Sequence, residues 1–189
     1  MNTPATTSQT VGPYFKLGFS PLCRDQLAGP EVRGEPITIA GRVLDGEGKP
    51  VPDAVLELWQ ADAQGRYASP SDRESEPGEK AFFGFGRIPT DDEGAFRFST
   101  IRPGSVAGPG EAIQAPHIVV SIFMRGLLTR LVSRIYFFDE PGNERDAVLQ
   151  LVEPQRRGSL MAMPVAGKPG LMEWNVILQG ERETVFFDF

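Results

Sequence analysis

The 189-residue chain is poor in the side chains that usually bind metals: it has one histidine, His117, and one cysteine, Cys23. A zinc site built from two cysteines and two histidines, or from three histidines, cannot be assembled from them. Neither can the two-His-one-carboxylate iron site. A lone cysteine forms no internal disulfide, which suits a reducing cytoplasm. With no histidine near it in sequence to activate it, Cys23 is not read as a nucleophile. No run of about 18 apolar residues is present, so no membrane span is expected. The first fifteen residues, MNTPATTSQTVGPYF, lack the basic and apolar regions of a signal peptide. Positive charge is also short, with 19 Lys and Arg against 25 Asp and Glu and a net charge of −6. That balance argues against nucleic acid as the main partner. The expected setting is cytoplasmic.

Turn formers are abundant. With 21 Gly and 17 Pro, about a fifth of the chain is Gly or Pro, against an average of roughly 12%. That favours turns over long helices. At 40% hydrophobic and 23% charged the chain reads as one globular domain over residues 1–189. Residues 1–36 form an N-terminal arm and loop region within it. β-branched and aromatic runs predict strands at 37–44, 54–60, 95–101, 117–124, 131–138, 173–179 and 183–189. Phe96, Phe98 and Thr100 share one face of the third. The only helix candidate is 140–152. Long loops fall at 61–80 and 103–116, and Asp91–Gly94 reads as a hairpin turn. The pattern predicts an all-β fold, an antiparallel β-sandwich with long loops and little helix. The 13 Phe need burial, which predicts an obligate, apolar interface of more than about 2,000 Å².

One stretch has a familiar order: GRVLDGEGKPVPDAVLELWQADAQGRY at 41–67. Others occur with it along the chain: SQTVGPYF at 8–15, TIRPG at 100–104, APHI at 115–118, SRIYF at 133–137, EPQRR at 153–157 and ETVFFDF at 183–189. Together they resemble the aromatic-ring intradiol dioxygenases, and within that family the alpha chains of two-chain members. The resemblance implies a β-sandwich of the intradiol dioxygenase type in an alpha–beta hetero-oligomer. It also implies that protocatechuate is cleaved with O2 between its hydroxyl-bearing carbons to 3-carboxy-cis,cis-muconate. The implied cofactor is Fe(III) held by two Tyr and two His. Phenolates are hard anionic donors that stabilise Fe(III). An H-x-H pair on a strand puts both imidazoles on one face.

Mapped onto this chain, the resemblance gives a degenerate site. The first ligand Tyr matches Tyr67 and the second falls on Val106. The first His matches His117 and the second falls on Val119, while the family's catalytic Arg falls on Gln114. Val has no lone pair to offer, so this chain is expected to bind no metal, and Fe(III) is expected in an iron-bearing beta partner. Tyr67 then reads as a vestigial pocket residue and His117 as a hydrogen-bonded core histidine. The resemblance assigns substrate contact to a T-x-G-P-Y element, here Thr10, Gly12, Pro13 and Tyr14, laid against the partner's active site. It also assigns Arg134 to the substrate entrance, where a guanidinium suits the substrate carboxylate. Arg130 is a weaker candidate. Two other readings compete: a self-sufficient homo-oligomeric dioxygenase, and a transthyretin-like binding module, which the 41–58 stretch also fits.

Overall fold

The computed structural model describes residues 5–68, 81–108, 110 and 112–188. One short helix, α1 (Tyr14–Phe19), precedes the strands β1 (Pro36–Leu44), β2 (Val55–Gln60), β3 (Phe85–Pro89), β4 (Ala95–Ile101), β5 (Val106–Ala107), β6 (Ile113–Gln114), β7 (His117–Phe123), β8 (Leu131–Phe137), β9 (Met161–Pro164), β10 (Leu171–Glu173) and β11 (Val176–Ile177). The polar stretch at 69–80 lies outside the described residues. No helix among the described residues is long and apolar enough to cross a membrane.

Alternation along the strands builds the core. In β7, Ile118, Val120 and Ile122 are all 0% exposed, while the odd-numbered residues face the other way. Nine strands form one sheet, in the order β11-β1-β10-β9-β8-β7-β2-β3, with β4 on the other side of β1. The sheet curls so that Ile37, Ile39, Val43, Phe96 and Phe98 from the β1/β4 arm join Leu56, Leu58, Ile118, Ile122, Ile135 and Phe137 from the β2/β7/β8 arm in one cluster. Leu27, 0% exposed, anchors the N-terminal region in that core.

The strands expected at 37–44, 54–60, 95–101, 117–124 and 131–138 are present within a residue. The all-antiparallel sandwich is corrected to a mixed, near-barrel sheet. β1 runs parallel to β10 and β11, and β8 runs parallel to β9. A side-chain period of two is the same in both directions, so the sequence pattern carries no sign of this. The parallel pairs follow the long excursion between β8 and β9, which a crossover requires.

The helix expected at 140–152 is two 3₁₀ turns, Pro141–Arg145 and Leu149–Leu151. Asp146 explains the break, because its carboxylate accepts the N–H groups of Val148 and Leu149 at 3.0 and 2.8 Å. Over its described part, 183–188, the strand expected at 183–189 reduces to a bridge between Phe187 and Val132, because two serines bind the backbone there; residue 189 lies outside the described residues. Ser133 Oγ donates to Val185 O at 2.8 Å, and Val185 N–H donates to Ser159 Oγ at 3.2 Å. The strand at 173–179 splits at Trp174 and Asn175. A Cβ on Gly41 would lie 1.7 Å from Trp174 O, so only glycine admits this crossing. Asp91–Gly94 is a turn, with Gly94 N–H donating to Asp91 O at 3.0 Å. It is not a hairpin, since β3 pairs with β2 and β4 with β1.

Candidate functional site

The outer face of β2, β7 and β8 carries the residues singled out by sequence. His117, Val119, Ser121 and Phe123 share the outer face of β7. In register across the sheet, Val119 lies between Trp59 of β2 and Arg134 of β8, and His117 lies opposite Tyr136. Tyr67 reaches this row by a tight turn. Asp62 Oδ1 accepts the N–H groups of Gln64 and Arg66, and Gly65 takes φ +78° against Ser105 O. The returning Tyr67 ring stacks on Trp59 with centroids 5.7 Å apart and planes 13° apart. Val106 of β5 pairs with Gln114 of β6, and Gln114 Oε1 accepts from Arg134 Nη1 at 2.7 Å. Tyr67, Val106, Gln114, His117, Val119 and Arg134 are therefore neighbours, although they are scattered over 68 residue positions of the chain.

His117 is 5% exposed, and its Nδ1 lies 2.7 Å from Ala115 O. A carbonyl only accepts, so Nδ1 is the protonated nitrogen and Nε2 carries the lone pair. Burial first, and then the charge of Arg134, hold His117 below the ordinary imidazole value, outweighing the Ala115 bond and the Asp146 charge. Burial pushes the Tyr67 phenol up, while Arg134 draws it down. Tyr136 is pushed up more strongly, again chiefly by burial. Its hydroxyl donates to Asp146 Oδ1 at 3.0 Å, and Asp146 Oδ2 accepts Ala115 N–H at 2.8 Å. Asp146, 0% exposed, thus fixes the backbone just ahead of His117. Sequence reasoning missed Asp146 and Tyr136; an acid inside an apolar, Pro/Gly-punctuated segment was the available signal.

The residues present do not fit the ferric centre that the resemblance implies. Two of the four positions, Val106 and Val119, offer no donor atom, and Arg134 stands beside the remaining two. Among the described residues no group of three or more His, Cys, Asp or Glu side chains gathers.

The arm candidates sit elsewhere on the same face. Thr10 Oγ1 accepts the N–H of Gly126 at 2.8 Å. α1 is pinned by Phe15 against Phe123 at 5.4 Å and by Lys16 Nζ, which donates to Pro52 O and Thr90 O at 2.7 and 2.6 Å. Phe19 lies under the Arg87 guanidinium at 4.3 Å, and Arg87 is ion-paired to Glu57. Gly12, Pro13 and Tyr14 remain exposed, Tyr14 at 81%. A Cβ on Gly12 would meet nothing within 4 Å. From Phe123 to Val119 is four strand residues, roughly 13 Å, so the arm and Arg134 are not brought together within this chain.

The chain is a curled, strand-dominated sheet that brings Tyr67, Val106, His117, Val119 and Arg134 together on one outer face, and its fold and sequence place it in the intradiol dioxygenase class. The chain belongs to the dioxygenase family: the family model described as dioxygenase matches residues 11–180. It is 41% identical to a protocatechuate 3,4-dioxygenase alpha chain of Burkholderia cepacia, over 97% of this chain and 96% of that one. It is also 37% identical to the beta chain from the same organism, over 75% of this chain and 61% of the other. Among solved structures, the dioxygenase domain of a carbohydrate-binding fusion protein from Streptomyces sp. SirexAA-E superposes with a TM-score of 0.63 at 26% identity, covering 86% of this chain and 89% of that one.

Proposed function

We propose that this chain is the alpha-type subunit of a two-chain protocatechuate 3,4-dioxygenase. Its partner is a beta-type chain that holds Fe(III). Together they cleave protocatechuate with O2 between the hydroxyl-bearing carbons, giving 3-carboxy-cis,cis-muconate. The observation that carries this is the likeness to an alpha chain over 97% of this chain; it is supported by Val106 and Val119, which have no donor atom and stand where the resemblance expects iron ligands. The self-sufficient enzyme is disfavoured by the same two residues, and the transthyretin-like module by the family match over 11–180.

In this reading Thr10, Gly12, Pro13 and Tyr14 complete the substrate pocket of the partner. An open glycine and an exposed tyrosine, with no crowding inside this chain, suit a surface that another chain covers. Arg134 is the candidate for the substrate carboxylate. It reaches that carboxylate only if the partner's pocket abuts the Gln114 end of the sheet. Arg134→Ala in the complex should then raise KM for protocatechuate more than for plain catechol.

The test is co-expression with a beta-type chain carrying the two Tyr and the H-x-H pair. A red-brown complex is expected, active only when both chains are present, with the iron retained by the partner. Activity from this chain alone, or about one tightly bound Fe(III) with a phenolate charge-transfer band in it, would overturn the reading.

A further inference from the structure

The residues at 67, 106, 117 and 119 converge, and the group placed among them is a guanidinium. Register sets Arg134 directly opposite Val119. Its Nη1 lies 2.7 Å from Gln114 Oε1 and 3.4 Å from Tyr136 Oη. Gln114 in turn pairs with Val106. Tyr67 and His117 both feel the Arg134 charge. Arg134 is 9% exposed. His117 meanwhile keeps the posture of a ligand: its Nδ1–H is held by a backbone carbonyl, the outer-shell bond that orients metal-bound imidazoles.

We propose that Arg134 closes this centre to metal, its guanidinium taking the place and the charge of a cation among residues 67, 106, 117 and 119. Loss of two donors is then only half of the conversion. This rests on the reading above that the metal belongs to the partner chain. A guanidinium suits the task because it keeps its charge at any physiological pH and is weakly hydrated enough to be buried. It carries donors and no acceptor, so it can satisfy the oxygens of Gln114 and Tyr136 but cannot ligate a metal. The amide at 114 follows: its Oε1 accepts from Arg134, whereas a second cation there would be repelled. The positive charge that the family resemblance puts at 114 has moved across the cleft to β8.

The test is a restoration series in the full-length chain purified without a partner. The base variant is Val106→Tyr with Val119→His. It is compared with the same pair plus Arg134→Gln and plus Arg134→Lys, each checked for native fold by near-ultraviolet circular dichroism. After loading with Fe(III) and desalting, metal content and visible absorption are measured. The Gln form should retain iron and show a phenolate-to-metal band. The Arg and Lys forms should retain metal at least about tenfold more weakly. Equal retention in all three, or none in a folded Gln form, overturns the proposal. If the Val106→Tyr series does not fold, Val119→His with and without Arg134→Gln is read by Co(II) absorption, and the same ordering is required. Iron in the unmodified chain would overturn the partner-metal reading. Equal iron in the restored series would overturn the role of Arg134 alone. The carboxylate role proposed above is read separately, in KM of the complex.

Discussion

At the residue scale, Asp146 shows how one buried carboxylate organises the backbone and side chains around His117. It accepts from Ala115 N–H, Val148 N–H, Leu149 N–H and the Tyr136 hydroxyl. Asp146→Ala would leave several of these donors buried and unpaired. A loss of about 3 kcal/mol or more is expected in urea unfolding, since each orphaned donor costs roughly 1–3 kcal/mol. A loss below about 1 kcal/mol would show that water replaces the carboxylate there. His117 gives a pH-dependent prediction. Its folded-state pKa is lowered, so the unfolded chain binds the proton more readily. Its contribution is therefore intact above the ordinary imidazole value near 6.5 and is lost as pH falls through it towards the depressed folded value. Between about pH 7.5 and 5.5, the wild type should lose more stability than His117→Gln, the carboxylates being common to both. Identical losses would mean that folding leaves the proton affinity of His117 unchanged. Tyr67, Val106, His117 and Val119 could be singled out in the sequence because the H-x-V segment of β7 and the R-P-G turn keep their spacing. The sequence carried no sign of the Arg134–Gln114 bond, which depends on the register of β7 and β8 and on the β5–β6 pair.

At the element scale, legibility followed strand length and alternation. β1, β2, β4 and β7 have six to nine residues and a clear buried face, while β8, seven residues long and buried on both faces from Ser133 to Phe137, is marked by its β-branched and aromatic run. β3, β9 and β10 are short and bounded by Gly or Pro or set by tertiary contacts, so no local period marks them, while β11 survives as a remnant of the strand expected at 173–179. α1 was also hidden. At six residues it is too short to persist by propensity and is held by Lys16, Phe15 and Phe19. Lys16→Met removes two bonds from a charged donor to backbone carbonyls. Amide exchange across residues 14–19 should speed up while global stability changes by no more than about 2 kcal/mol, roughly what such bonds contribute. In the complex, KM should rise with little change in kcat, because the arm is mispositioned rather than removed. Unchanged exchange at 14–19 would show that the Phe contacts suffice. At the β1 crossing, Gly41→Ala forces Trp174 O away and should cost about 3 kcal/mol, the largest effect expected of any single methyl on β1.

At the scale of the whole molecule, the isolated chain leaves large apolar side chains on several faces: Leu151 at 83%, Tyr14 at 81%, Ile113 at 66%, Leu17 at 63% and Phe138 at 59% exposed. The inner core does not need them, since both arms of the sheet already fill it. Single exposed apolar residues are ordinary, but Tyr14 and Leu17 stand together on α1, beside the arm assigned to the partner's pocket. A contact built on such side chains depends on apolar burial, whereas a contact between charged surfaces is screened by salt. At a net charge of −6 this chain would repel an equally acidic partner at low ionic strength. Raising salt from about 0.1 M to 1 M, which shortens the Debye length from roughly 10 to 3 Å, should therefore leave the complex with a beta-type partner intact or tighter. Mild urea should separate the chains before either unfolds fully. Sedimentation of the mixed chains at both salt levels checks this directly. Dissociation at high salt would mean that charged pairs, and not the apolar arm and its neighbours, hold the two chains together.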